Sequence, residues 1–268
     1  MAALPEYRVY ALKYAERAGR RAEHFLGGDP HDGPHAMDYF VWAIVGDGRC
    51  WIVDTGFGHE EAKTRGRNLL RTASEALASI GVDAAKATDV IVTHLHYDHI
   101  GGFEQFPSAR WHLQDKEMMY ATGRHMAHRE IGRHYTPDQI AGMVKNVFAG
   151  RVAFHDGDAE LAPGLSIHLL GGHTMGMQAV RVRTRIGWIV LASDAAHYYE
   201  NFETGRPFYI VHDLGAVLDG YAKLKALADD PRFVVPGHDP LVRQYYPPEA
   251  GGIVCRLDAE PRREALEA

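Results

Sequence analysis

In the stretch "VTHLHYDHIGG", residues 92–102, His94, His96, Asp98 and His99 crowd into six positions directly after an apolar run. Neutral imidazole and carboxylate are the side chains that bind zinc, at about 2.0–2.2 Å, and a metal needs several of them aimed at one point. His94 and His96 are two apart, so on extended chain they project from the same face. Asp98 and His99 follow where the chain should turn toward a helix, and can point to a second position beside the first. Gly101 and Gly102 would let that turn be tight. The bland alternative is a solvated histidine-rich loop, since the chain holds 17 His and most must be ordinary surface or packing residues. Position has to decide which few are ligands.

The elements that would have to carry such a site can be read from the apolar pattern. "YRVYAL" is a strand, and "YFVWAIVGDGRCWIVDTG" reads as a hairpin around a Gly46-Asp47-Gly48 turn. Residues 60–80 read as helix, with Thr72 and Glu75 at capping-box spacing and Gly81 as a stop. "DVIVTH" is a buried strand, and residues 111–148 look helical but broken at Gly123, Gly132 and Thr136-Pro137. Further strands follow at "RVAFHD", "LSIHLL", "AVRVRT" and "GWIVLAS". A helix at roughly 214–228 and the strand "RFVVP" come after them. Strands in groups with helices between them favour a layered α/β domain with mixed sheets. Five apolar strands each run into a potential ligand: Asp54, the His94–His99 cluster, His173 after Gly171-Gly172, Asp194, and His238. If these strand ends share one edge, the loops there form the site.

Composition excludes several classes. At 268 residues the chain can bury a substantial core, and 46% apolar with 24% charged residues is ordinary for a globular protein. A net charge of −6 gives no reason to expect nucleic acid or an anionic membrane as partner. No apolar run reaches the roughly 18–20 residues of a membrane span. The N-terminus lacks the pattern of a secretory signal. Cys50 and Cys255 are the only cysteines, so a disulfide framework is excluded and the cytoplasm is the expected compartment.

"THLHYDHIGG", with Asp54 in "VDTG", His173 in "GGHTMG", Asp194 in "LASDAA" and His238 in "VPGHD", resembles the signature of the metallo-β-lactamase fold superfamily over about residues 40–240. The resemblance implies a four-layer αββα sandwich, two mixed sheets flanked by helices, as one domain over 1–268 with a helical insertion at about 111–148. It implies that His94, His96 and His173 hold a first metal and Asp98, His99 and His238 a second. Asp194 would bridge the two, and Asp54 would orient the ligand loop. The expected cofactor is two zinc ions per chain, with iron, manganese or cobalt as other divalent metals such ligands accept. Two such cations about 3.5–4 Å apart can share a water and bring its pKa near neutrality. Asp98 would take the proton from the attacking hydroxide and deliver it to the departing alkoxide.

Within the superfamily the chain is similar to N-acyl-homoserine lactonases and related lactonases such as 4-pyridoxolactonase, in "LAPGLSIHLLGGHTMGMQAV", "LASDAAHYYENFE" and "PGHDP". The implied function is a quorum-quenching lactonase that opens the ester ring of a lactone, most naturally an N-acyl-homoserine lactone. Two positions depart from that group. Gly172 stands where it carries proline. His197 stands where it carries a tyrosine that contacts the lactone carbonyl, which leaves His197 or Tyr198 to make that contact. Met118, Met119, Tyr120, Met126 and Tyr135 could cover an acyl chain, against the plainer reading of gap-filling core residues. The loop "GGDPHDGPHAMDYF" could overhang the site, with His31 and His35 facing solvent. His24, His59, His112, His125, His128, His134, His155, His168 and His212 read as structural or surface residues. The rival enzyme is a glyoxalase II-like thioesterase, which would need a basic pocket for the carboxylates of glutathione, and the sequence shows no Arg/Lys cluster placed for one. A class B β-lactamase would carry Cys for Asp194. A di-iron redox protein would carry Glu for His96. A homodimer is expected only by analogy with the lactonases.

Overall fold

The computed structural model describes residues 4–263, so the reading of one domain over 1–268 runs past the described residues at both ends. Fourteen strands are found among them. These are β1 (Arg8–Arg17), β2 (Met37–Gly46), β3 (Arg49–Val53), β4 (Asn68–Leu69), β5 (Asp89–Ile91), β6 (Arg110–Gln114), β7 (Val152–His155) and β8 (Ala159–Ala162). The chain continues with β9 (Leu165–Leu169), β10 (Gln178–Thr184), β11 (Gly187–Ser193), β12 (Val234–Pro236), β13 (Pro248–Glu249) and β14 (Val254–Arg256). The first sheet has the order β13-β14-β1-β2-β3-β5-β6-β7, with β4 added on β1, and the second β12-β11-β10-β9-β8. Both are mixed. β3, β5, β6 and β7 run parallel beside an antiparallel half, and β11 and β12 are a parallel pair in an otherwise antiparallel sheet.

Period-two alternation explains the layers. In β2, Trp42 and Ile44 face the second sheet and meet Ile167, Val180 and Leu191, while Val41 and Ala43 face the other way. That outer face of the first sheet is covered by Ala76 and Leu77 of the helix Ala73–Ala78 and by Ile140 and Met143 of the helix Pro137–Phe148. Val217, Tyr221 and Leu224 of the helix Leu214–Leu227 belong to the inter-sheet core's cluster and close the second sheet. The result is the expected four-layer αββα sandwich. Trp42 is fully buried, and truncating it to alanine would cost about 3–5 kcal/mol. No helix among the described residues is long and apolar enough to cross a membrane.

The β2–β3 hairpin is present, closed by Asp47 and Gly48 with φ of 50° and 70°. Two expected helices are not continuous. The 60–80 segment breaks after the helix His59–Arg65, because Gly66 takes a left-handed φ of 62° and Asn68–Leu69 then pairs with β1. The helix resumes at Ala73 behind the Thr72/Glu75 capping box. The 111–148 segment becomes helical only from Asp115, since Arg110–Gln114 is β6, buried between β5 and β7. Strand direction positions the site. β3 and β5 run parallel in the first sheet. In the second, β9 and β11 are both antiparallel to β10, and β12 is parallel to β11. Asp54, the His94 cluster, His173, Asp194 and His238 all follow the C-terminal ends of these strands.

Candidate metal centre

The seven predicted ligands, drawn from four separate segments, come together. His94, His96, His173 and Asp194 offer ligand atoms that all lie within 4.8 Å of one another, and so do Asp98, His99 and His238. Asp194 sits between the groups and divides its two oxygens. Oδ2 is 3.8 Å from His94 Nε2 and 3.4 Å from His173 Nε2, whereas Oδ1 is 3.2 Å from His99 Nε2 and 2.9 Å from His238 Nε2. Asp98 Oδ2 faces the second group alone, 3.8 Å from His99 Nε2 and 3.9 Å from His238 Nε2.

Three of the five imidazoles, His99, His173 and His238, are aimed from behind. Asp54 Oδ2 is 2.8 Å from His99 Nδ1, and the same carboxylate accepts the Thr93 backbone N–H and hydroxyl at 2.8 Å each. His173 Nδ1 lies 2.9 Å from the Ile210 carbonyl oxygen and His238 Nδ1 2.9 Å from that of Asp38. Donation to these acceptors leaves Nε2 lone pairs facing the centre, the usual way a protein fixes the tautomer of a metal-binding histidine. The backbone is bent to serve the same end. Asp54 and Ser193 hold positive φ of 60° and 46°, and a Cβ on Gly237 would come within 2.9 Å of Asp194 Oδ1.

The donor set fits a pair of divalent cations. His94 Nε2, His99 Nε2 and Asp194 Oδ1 are buried without hydrogen-bond partners, which native interiors tolerate only where something else satisfies them. Burial, reinforced by neighbouring imidazoles, holds His94 and His96 far below the usual histidine range and His173 at about 3, so these three stand as neutral ligands. In the second group burial is outweighed. Asp194, Asp54 and Asp98 raise His99, and Asp194 with Asp98 raises His238, so this half draws positive charge to itself. Burial would raise Asp194, but His197, His238 and His99 keep it well below the carboxylate range.

The two residues expected to touch substrate part company. His197 is at the centre, its Nε2 3.0 Å from Asp194 Oδ2 and its ring stacked at 3.5 Å on Phe208. With Asp194 and His238 it makes a third group of ligand atoms within 4.8 Å. Tyr198 is turned away: its hydroxyl lies 2.9 Å from His24 Nδ1, because consecutive residues entering the helix Tyr199–Thr204 point in different directions. Gly172 adopts φ of 84°, which proline's ring forbids, so the departure from the lactonase pattern is a different turn into His173.

A cavity of about 360 Å³ opens over Asp98, Asp194 and His238. His134, read from sequence as structural, lines it, as do Met37 and Tyr39. None of Met118, Met119 and Met126 does; Met119 is 65% exposed and the other two support the core on the helical side of the first sheet. Tyr120 instead lines an adjoining cavity of about 210 Å³. His35 is only half-exposed, packed against Tyr198 with ring centroids 4.3 Å apart. The absence of a basic cluster is also overturned: Arg17, Arg65, Arg67 and Arg133, from scattered segments, line the main cavity.

Sequence reasoning missed Glu117. It is fully buried and accepts hydrogen bonds from the Leu95 N–H at 2.9 Å, the Thr174 hydroxyl at 2.6 Å and the Gly176 N–H at 3.0 Å. One carboxylate thereby ties the His94–His96 loop to the His173 loop. A lone acid in "DKEMMYA" offers no signal of that role.

The sequence pattern of the metallo-beta-lactamase superfamily matches residues 37–238. A probable metallo-hydrolase of Mycobacterium bovis is 26% identical over 236 residues, covering 75% of this chain and 74% of that one. An N-acyl homoserine lactonase of Azorhizobium caulinodans is 29% identical over 180 residues, 60% of this chain and 62% of its own. Among solved structures, a quorum-quenching N-acyl homoserine lactone lactonase superposes with a TM-score of 0.74 at 20% identity, covering 90% of this chain and 95% of that one. A dizinc quorum-quenching lactonase superposes at 0.69 and 19% identity, over 89% and 90% of the two chains.

Proposed function

The chain belongs to the metallo-beta-lactamase superfamily, and from that premise we propose that this metal-dependent hydrolase opens the ester ring of a lactone. The observation that carries the hydrolytic reading is the division of Asp194, one oxygen toward His94 and His173 and the other toward His99 and His238. His94, His96 and His173 would hold one cation, and Asp98, His99 and His238 the other, with zinc the metal these donors suit. Two such cations supply Lewis-acid polarisation of the ester carbonyl and acidify water to near-neutral pKa. The chain's own residues do the rest. Asp98 lines the cavity, and its backbone carbonyl is pinned by the Tyr14 hydroxyl at 2.9 Å. Its carboxylate is placed to take a proton from the attacking water and return it to the leaving alkoxide oxygen. His197 holds Asp194 in place from the second sheet, and Tyr39, edge-on to His238 at 5.0 Å, keeps water from that side of the ring.

The similarity to N-acyl homoserine lactonases supports the lactone as substrate, and with it a role in quorum quenching. A thioesterase of the glyoxalase II type is the second reading, favoured by the arginines on the cavity wall. A pH-indicator assay on zinc-loaded protein, across acyl-homoserine lactones of several chain lengths, other lactones and S-lactoylglutathione, separates them. Lactone turnover that His96→Ala abolishes is the expected result. Thioester turnover without any lactone turnover overturns the lactone reading, and no turnover of either overturns hydrolysis.

A further inference from the structure

We propose that the site selects an anionic substrate, whose carboxylate or phosphate-type group is held by Arg17 and Arg67 on the wall of the cavity that opens over Asp98, Asp194 and His238. The inference deepens the hydrolase reading and rests on it for the bond that is cleaved; the anion site itself can be measured without turnover.

Four guanidinium groups line the main cavity against only two carboxylates, Asp98 and Asp194, and both of these belong to the cation ligands. This local excess of positive charge lies in a chain whose net charge is −6, so it does not follow from composition. A concave wall of one sign concentrates ligands of the other. Cations at the centre would add to the excess.

Arg17 and Arg67 line the same cavity. β1 and β4 pair Ala15 with Leu69 and Glu16 with Asn68, so each arginine is the next residue beyond the last pair of that short ladder. Two like charges brought to one cavity wall repel each other, and an anion bound there would relieve that repulsion. Neither side chain has a close carboxylate. Arg67 gives Nε to the Tyr97 hydroxyl at 3.0 Å and Nη1 to the Arg65 carbonyl at 2.7 Å, which fixes its plane and leaves Nη2 free. Arg17 Nη2 sits 2.7 Å from His24 Nε2, its Nε is buried without a partner, and its nearest acid, Glu23, is an exposed residue at 4.0 Å. Burial and the Arg17 charge hold His24 at about pKa 3, so this imidazole is a neutral acceptor and cancels none of the charge.

Elsewhere the chain pairs its partly buried arginines tightly: Arg21 with Asp29 at 2.8 Å, Arg206 with Glu200 at 2.7 Å and Arg256 with Asp258 at 2.6 Å. Away from the cavity, Arg71, Arg151 and Arg181 give their donors to the carbonyls of Lys13, Ala109 and Leu227. On the cavity wall Arg133 pairs with Glu130 at 3.1 Å, which leaves Arg17 and Arg67 as lining arginines with donors to spare. Arg65 has a supporting part, stacked 3.9 Å over the Tyr97 ring and bound through Nη1 to the Arg133 carbonyl at 2.7 Å. Two oriented guanidinium groups with free N–H donors are the usual equipment for recognising carboxylate or phosphate.

The test compares two lactones that differ only at the far end of the acyl chain: hexanoyl-homoserine lactone and adipoyl-homoserine lactone, which ends in a carboxylate. S-lactoylglutathione serves as an anionic thioester. Adipate and inorganic phosphate are the non-reacting probes, read by thermal shift, and distinguish a carboxylate site from a phosphate site. The expected result is a kcat/KM at least about tenfold higher for the carboxylate-tailed lactone. That ratio should collapse in Arg17→Met and Arg67→Met and partly return in Arg67→Lys, and the shift caused by adipate or phosphate should be lost in the two methionine variants. Equal turnover of both lactones, with probe shifts unchanged in the variants, overturns the proposal and leaves the hydrolase reading standing. Arginine-dependent probe binding without cleavage of either lactone keeps the anion site and overturns the lactone reading. Should a methionine variant fail to fold, Arg17→Gln and Arg67→Gln, which also remove the charge, carry the same comparison.

Discussion

Replacing Glu117 with glutamine tests whether one buried carboxylate holds the two ligand loops in register. Glu117 Oε1 accepts the Leu95 N–H, and Oε2 accepts the Thr174 hydroxyl and the Gly176 N–H. A glutamine has one oxygen and one NH2, so in either orientation the NH2 meets a backbone N–H. The less costly orientation keeps the oxygen on Thr174 and Gly176 and sets the NH2 against Leu95. It loses one hydrogen bond to a charged acceptor, about 1.5–3 kcal/mol, and orphans a buried donor at about 1–3 kcal/mol. Against this stands the removal of a buried charge, whose cost shows in the raised pKa that burial gives Glu117 despite its hydrogen bonds. A net loss of about 2–4 kcal/mol is expected, which at about 2–4 °C per kcal/mol lowers Tm by roughly 4–16 °C. Because Leu95 lies between His94 and His96, and Thr174 follows His173, zinc affinity should also fall about 10–100-fold. Calorimetry of the apo-protein gives the first quantity, and competition with a chromophoric chelator gives the second. A Tm within 1 °C of the parent and zinc affinity within twofold would refute the reasoning. A lowered Tm with unchanged affinity would refute the tie between the loops while leaving an ordinary buried hydrogen-bond network.

Asp54→Asn removes the carboxylate behind His99 and should weaken zinc in the Asp98–His99–His238 group about 10–100-fold, read as one of two zinc ions lost on dialysis; retention of both refutes it. His24 contributes to acid sensitivity. Burial first, and then the Arg17 charge, lower its folded pKa to about 3, below an unfolded value of about 6.5. The unfolded chain therefore binds the extra proton, and the contribution is complete above pH 6.5 and lost as pH falls from there toward 3. Each unit costs at most about 1.4 kcal/mol. Urea midpoints at pH 7, 6 and 5 should fall more steeply in the parent than in His24→Gln, and equal slopes would exclude His24 as a source.

The candidate residues were legible in the sequence because Asp54, the His94 cluster, His173, Asp194 and His238 each follow an apolar strand, and strand direction brings such ends to one edge. Which of them serve as ligands came from the resemblance to the metallo-β-lactamase superfamily. Side chains set by distant pairing left no such mark. Arg17 and Arg67 are fifty positions apart and reach one cavity wall because β4, only two residues long, adds to β1 after Gly66 breaks a segment that reads as one helix. Two residues cannot show a period. The same limit hides Glu117, whose partners Leu95, Thr174 and Gly176 sit in two loops far from it in sequence. Tyr198 fails for a local reason, since adjacency to His197 does not survive the turn into a helix. A division of labour follows. The residues that form a recognisable motif carry the cation chemistry, which serves any ester, whereas the residues that choose among esters lie outside every motif. Likeness to lactonases through "THLHYDH" therefore speaks for the reaction, and the question of substrate rests with Arg17 and Arg67.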